Sequence, residues 1–258
     1  MAPFFVIVQR SQTRTTAQED LVVSTSDKST TRTIKVWDIP TRLFHWLLVL
    51  GILAMWLTAD VFDRLGLHMT IGYALIGLIV FRLVWGFIGS DTARFFHFVR
   101  HPRHIVAHLK TPKPGVLVGH NPLGALSVLA MIISVMVQLG TGLFANDQIY
   151  NEGPFSDYVS EGMQDLLTEI HEVNFYILLG LIATHLAAIA YYQLKKREQL
   201  VRAMVTGKRT IQEGEEIQNP NPRFAGPIAF VIAAAISVGA WYLFSYQAKM
   251  VAGWLGMH

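Results

Sequence analysis

The chain has 258 residues, of which 52% are hydrophobic and only 15% charged. A soluble globular domain carries about a quarter charged residues, so the composition points to lipid, and the formal charge of +3 is too small to suggest a nucleic-acid partner. The absence of cysteine excludes disulfides, thiolate metal sites, iron–sulfur clusters and covalent haem attachment through a Cys-x-x-Cys-His motif.

Residues 1–36 read as a flexible or weakly ordered, polar, Thr- and Ser-rich extension after a brief apolar start at Phe4 to Val8. Five long apolar runs follow. The first is expected from about Pro40 to Ala59 and the second from His68 to Ile88. The third runs from Pro122 to Phe144, the fourth from Leu167 to Gln193 and the fifth from Pro227 to Tyr246. Crossing the hydrocarbon core takes roughly 20 helical residues. Inside lipid the backbone must satisfy its own hydrogen bonds, so these runs predict helices. They lack the polar–apolar alternation of a barrel. The fold class is therefore all-α: an integral membrane bundle of four core helices and a fifth C-terminal one. Residues 37–209 make the four-helix module, and 210–258 the linker and fifth helix. There is no internal repeat.

The loops give the orientation. From Asn146 to Glu169 there are six carboxylates, Asp147, Glu152, Asp157, Glu161, Asp165 and Glu169, and no Lys or Arg. The loop from Ser90 to Asn121 carries Arg94, Arg100, Arg103, Lys110 and Lys113. The segment after the fourth run carries Lys195, Lys196, Arg197, Arg202, Lys208 and Arg209. Lys and Arg collect on the cytoplasmic side. The expectation is a multi-pass protein of a bacterial inner membrane with a cytoplasmic N-terminus and a periplasmic C-terminus.

Four histidines fall in the spans: His45, His68, His171 and His185. Ionisable groups there are costly and usually functional. His171 and His185 are fourteen positions apart on one helix, which is about 21 Å and nearly four turns, so both imidazoles face the same way. His45 matches the depth of His185 near the cytoplasmic side. His68 matches His171 near the outer side. Two bis-histidine sites result, each suited to the axial positions of a haem. Such a haem, with both axial positions filled, transfers electrons. Imidazole also binds zinc or copper, but the two pairs are too far apart for one tetrahedral site.

Arg42 and Arg82 lie near the cytoplasmic face. They suit haem propionates or serve as positive-inside anchors. Asn121 ahead of Pro122 reads as a helix cap, with His120 beside it as an alternative propionate donor. His97, His101, His104 and His108 recur in the basic loop and read better as an amphipathic interfacial segment than as a metal site. Gly72, Gly77, Gly140, Gly142 and Gly180 suit close approach by a macrocycle or by a neighbouring helix. The acidic outer loop, with Tyr150, Phe155 and Tyr158, is a solvated loop or a dock for a basic electron-transfer protein.

These residues resemble the bacterial di-haem cytochrome b561 family, which includes the B-type cytochrome subunits of nickel–iron hydrogenases. The likeness rests on Trp37-Asp38, Arg42-Leu43-Phe44-His45-Trp46, His68-Met69-Thr70-Ile71-Gly72-Tyr73 and Arg82-Leu83-Val84-Trp85-Gly86. It continues through Gly119-His120-Asn121-Pro122 and His171-Glu172 to His185. It covers about Ile34 to Arg209. It implies two haem b groups, with the first and fourth helices sharing the cytoplasmic-side haem and the second and fourth sharing the outer one. It also implies electron exchange between membrane quinone and a periplasmic partner, such as a hydrogenase or dehydrogenase subunit or a cytochrome c. Two other functions stay open at this point: a stand-alone quinol- or superoxide-linked oxidoreductase, and a haem or metal transporter.

Overall fold

The computed structural model describes residues 31–98, 116–146, 152–212, 214–218 and 222–254. Among these, five helices are long and apolar enough to cross a membrane. Helix α1 spans Ile39–Trp56 and continues as a π-helical stretch, Leu57–Val61. Helix α2 spans Leu65–Ile88 and is followed by the single turn α3, Phe95–Phe98. Helix α4 spans Pro122–Gly142, α5 spans Glu161–Lys195, α6 spans Leu200–Thr206 and α7 spans Pro227–Trp254.

The helix starts follow from local chemistry. The Asp38 carboxylate accepts the Thr41 N–H at 2.8 Å ahead of α1. The Asn121 side chain accepts the Gly124 N–H at 2.6 Å ahead of α4. Each thereby satisfies one of the backbone donors that a first turn leaves open. A proline sits in the first turn of both helices, where its missing N–H costs nothing.

Helix α1 packs along α2 and α4 packs along α5, while α2 and α4 meet over a shorter stretch. The shared core is Phe44, Ile79, Phe81, Trp85, Val135 and Leu178. The fourth apolar run lies within a helix that starts earlier, at Glu161. Its first turns are polar and project beyond the apolar stretch.

Part of the N-terminal extension is structured. Strand β1, Thr31–Lys35, pairs antiparallel with β3, Lys208–Gln212. A second ladder joins β2, Val116–Leu117, in parallel to β4, Ile217–Gln218. The Val36 and Trp37 N–H groups both donate to the Gly207 carbonyl, at 2.8 and 3.2 Å. Gly207 ends α6 with φ +76°, and a Cβ there would sit 2.7 Å from the Trp37 carbonyl. Glycine is required on both counts. This clasp holds the chain entering α1 beside the chain leaving α5, so both lie on one side of the bundle. That side carries Lys195, Lys196, Arg197 and Arg209.

Helix α7 lies along α2. The Ser237 hydroxyl donates to the Gly77 carbonyl at 2.7 Å, and Phe230 packs edge-on against Phe81 and Trp85. The entry to α7 is tied down as well. The Arg223 N–H donates to the Asp91 carboxylate at 2.8 Å, and the Ala225 N–H donates to the Ser90 hydroxyl at 3.0 Å. Burial pushes the Asp91 carboxyl up, but the Arg223 N–H, Arg94 and His97 outweigh it and hold the group below the usual carboxylate range.

At Gly77 an added Cβ would lie 3.0 Å from the Trp241 Cβ and 3.1 Å from the Ser237 carbonyl. Neither neighbour is the yielding end of a flexible side chain. Gly77→Leu is expected to cost about 1–3 kcal/mol by overpacking. Gly140→Leu, at a position open to its surroundings, should be near neutral. Thermal unfolding of the two variants in detergent checks the difference.

Candidate functional site

At the acidic end, the first turn of α2 brings His68 beside His171 of α5. Their ring centroids are 6.4 Å apart and the ring planes are 70° to one another. His68 Nδ1 lies 3.0 Å from the Met55 carbonyl, and His171 Nδ1 lies 2.9 Å from the Gln138 carbonyl. A carbonyl only accepts, so both Nδ1 atoms carry the proton and both Nε2 atoms keep a free lone pair. A metal–imidazole bond is about 2 Å long. Two imidazoles on opposite sides of one metal therefore have centroids about 6 Å apart. The separation and the tautomers both fit a pair of axial ligands.

The surroundings suit a flat apolar group. The cavity between the two rings is lined by Met55, Gly72, Tyr73, Ile76, Leu139 and Leu143. Gly142 faces His171 directly: a Cβ there would stand 2.9 Å from the imidazole Cε1. The Thr141 hydroxyl lies 3.2 Å from His171 Nδ1 and also donates within its own helix to the Val137 carbonyl at 2.8 Å.

At the basic end, His120 lies within electrostatic reach of Arg82, His185 and His45, and His45 within reach of His185. His45 packs edge-on against Trp46 at 5.0 Å, and its Nδ1 is buried with no hydrogen-bond partner among the described residues. His120 sits just before α4 with its imidazole against Trp37 at 4.7 Å. Burial, then Arg82, His185 and His45, push its pKa down to about 3, so it is neutral.

Arg82 is the most unusual residue here. It is 3% exposed and lies over the Phe95 ring at 4.7 Å. One guanidinium nitrogen donates to the Ala93 carbonyl at 3.2 Å, and Nη1 is buried without a hydrogen-bond partner among the described residues. Asp38 is the acidic group that stabilises it from a distance. That carboxylate is already engaged, however, by the Thr41 N–H and by the Trp85 indole N–H at 3.2 Å. A buried guanidinium with an open donor is a receptor for an anion, and a haem propionate carboxylate is of that kind. Arg42 is placed differently, donating to the Val205 carbonyl at 2.6 Å against the α6 turn.

The four histidines singled out by the sequence thus lie toward two ends of the bundle, while Gly77 meets Ser237 and Trp241 of α7 instead. The loop histidines divide: His97 lies near Asp91, 3.6 Å from its carboxylate, while His101, His104 and His108 fall outside the described residues. Tyr150 does too. Phe155 packs inward on Phe144, Tyr158 and Phe244. Among the described residues no group of three or more His, Asp or Glu side chains is arranged to hold a metal ion. The Met55 and Gln138 carbonyls that orient the outer imidazoles carry no side-chain signature in the sequence. A polar trio nearby, Ser134, Gln138 and Asn174, stands in apolar runs and was open to notice on the same grounds as the histidines.

Comparison with known proteins gives the family. Residues 36–207 match the family model of prokaryotic cytochrome b561. A probable Ni/Fe-hydrogenase B-type cytochrome subunit of Rhizobium leguminosarum bv. viciae is 21% identical over 224 residues, covering 72% of this chain and 92% of the relative. The Bradyrhizobium diazoefficiens protein of the same description is 21% identical over 239 residues, covering 76% and 96%. That of Azotobacter vinelandii is 24% identical over 221 residues, covering 70% and 90%. No solved structure matches. The ends of the matched segment are the two residues that the clasp joins, Val36 and Gly207. Segment, helices and histidine-bearing ends together make this a membrane electron-transfer protein of the b-type haem class, and the chain belongs to the prokaryotic cytochrome b561 family.

Proposed function

We propose that the chain conducts electrons across a bacterial inner membrane through two b-type haems. The outer one has His68 and His171 as axial ligands, and the inner one has His45 and His185. The observation that carries this is the outer pair: two imidazoles 6.4 Å apart, each with its Nδ1 proton engaged by a main-chain carbonyl. A bound haem supplies a one-electron iron couple. The chain's own residues supply the rest. The Met55 and Gln138 carbonyls fix the imidazole tautomers and raise ligand basicity. Arg82 offers its open donor to a propionate of the inner haem. Arg42 shares that face of the membrane, with one nitrogen already bonded to the Val205 carbonyl and its buried Nε open among the described residues.

The proposed orientation puts the clasp and the basic segments in the cytoplasm and the acidic outer loop, with the C-terminus, in the periplasm. The Ni/Fe-hydrogenase B-type cytochrome names of the relatives favour a hydrogenase-type subunit as the outer partner over a cytochrome c. Membrane quinone is the proposed exchange partner within the lipid. Residues 37–209 are the conducting module, and α7, packed on α2, is an accessory to it.

The direct test is the haem-to-protein ratio and the reduced-minus-oxidised spectrum of detergent-purified protein. The expected result is two low-spin b-type haems per chain that do not bind carbon monoxide. A single haem open to carbon monoxide would contradict the paired-ligand assignment. His185→Ala should lose the inner haem and keep the outer one, halving the ratio; a ratio still at two would reject His185 as a ligand. Arg82→Leu removes a buried positive charge that favours the reduced state, so the inner haem's midpoint potential should fall while the outer stays put. Two unchanged potentials in a redox titration would remove Arg82 from the site.

A further inference from the structure

The electron-transfer proposal leaves the membrane-buried amide of Asn174 unused. Asn174, on α5, is 7% exposed and makes three hydrogen bonds, all to one turn of α4. Its Nδ2 donates to the Ser134 carbonyl at 2.9 Å and to the Gln138 Oε1 at 2.6 Å. Its Oδ1 accepts from the Ser134 hydroxyl at 3.1 Å. An amide in hydrocarbon is stabilised by such bonds between helices. A helix–helix fastener needs no particular neighbour, yet this one has a telling position. Asn174 follows His171 by three residues, so the two share a face one turn apart. Gln138, which Asn174 grips by its side chain, presents its main-chain carbonyl to His171 Nδ1 at 2.9 Å.

The α4 turn from Ser134 to Gln138 is therefore held by α5 twice, once by the amide and once by the imidazole. We infer that Asn174 is a positioning residue for the outer haem: it sets the register of α4 on α5 so that the Gln138 carbonyl accepts the hydrogen bond from His171 Nδ1–H and leaves Nε2 to the iron. This rests on His68 and His171 being the axial pair. A carbonyl-bonded imidazole is a stronger donor to iron and favours the oxidised state. Weakening that bond raises the potential.

The test is a redox titration with electron paramagnetic resonance on full-length, haem-loaded protein carrying Asn174→Leu. The expected result is a raised potential and shifted low-spin g-values for the outer haem, about tenfold weaker retention of it, and an unchanged inner haem. Wild-type potentials and g-values at both haems would overturn the inference, because a mere fastener would leave them alone. Should Asn174→Leu fail to assemble, Ser134→Ala removes only the hydroxyl donor to Oδ1. A smaller rise in the outer potential supports the inference, and no change overturns it. His171→Ala separates the two possible failures. Two haems retained there would reject the axial pair itself. Loss of the outer haem there, with wild-type behaviour in Asn174→Leu, would reject only the positioning role.

Discussion

A polar group within the hydrocarbon layer has to be answered by protein, because lipid offers it nothing. The helices here are arranged around that constraint. At the outer end the answer is main chain: the carbonyls of Met55 and Gln138 receive the two imidazole N–H groups. Helical carbonyls are normally occupied by their own helix, so each such contact needs a suitable place. Met55 lies two residues ahead of the π-helical stretch Leu57–Val61, a kind of irregularity that recurs at functional sites. Its carbonyl also takes the Thr58 hydroxyl at 3.1 Å. Gln138 lies in the last part of α4, where the Thr141 hydroxyl joins the same group of contacts.

The helices divide into two packed pairs, α1 with α2 and α4 with α5, joined more sparsely to each other. Each histidine pair reaches across that division. A bundle divided this way depends on something else to hold its halves in register, and the clasp at the basic end does so. The Gly207 carbonyl binds the chain just before α1, and β1 pairs with β3 just beyond it. Trp37, Val36, Val118 and Ala203 form a small core under the clasp. Trp37 in turn packs on His120, so the clasp and the inner histidine cluster are one continuous piece of packing. Helix α7 adds a second brace along the outer side of α2, through Gly77 and the straps from Asp91 and Ser90.

The spans were legible in the sequence, and the histidines stood out within them, because both are carried by strong, local signals. Apolar runs of membrane length and histidines within them need no tertiary knowledge. The fourth helix shows the boundary of that method. Glu161 to Leu166 is helical but largely polar, and hydropathy registers contact with lipid, not helicity. The clasp was missed for a related reason. Thr31–Lys35 alternates no apolar face and looks like part of a polar tail; its pairing is set by a partner about 180 positions away. Asn121 was readable as a cap because capping is a local geometry. The role of Asp38, shared between Thr41 and Trp85, was not, because the second bond joins positions 38 and 85 across the fold.

The two ends of the bundle meet the same constraint with different chemistry. The outer end is closed: its imidazole protons, the Asn174 amide and the Ser134 hydroxyl all have partners within the protein. The inner end is open: the Arg82 Nη1 and the His45 Nδ1 are buried with no partner among the described residues. A buried guanidinium with an open donor carries a desolvation cost, which a ligand able to accept that bond would offset. Under the proposed function, an anionic group completes the inner end. The outer end is held chiefly by its own helices.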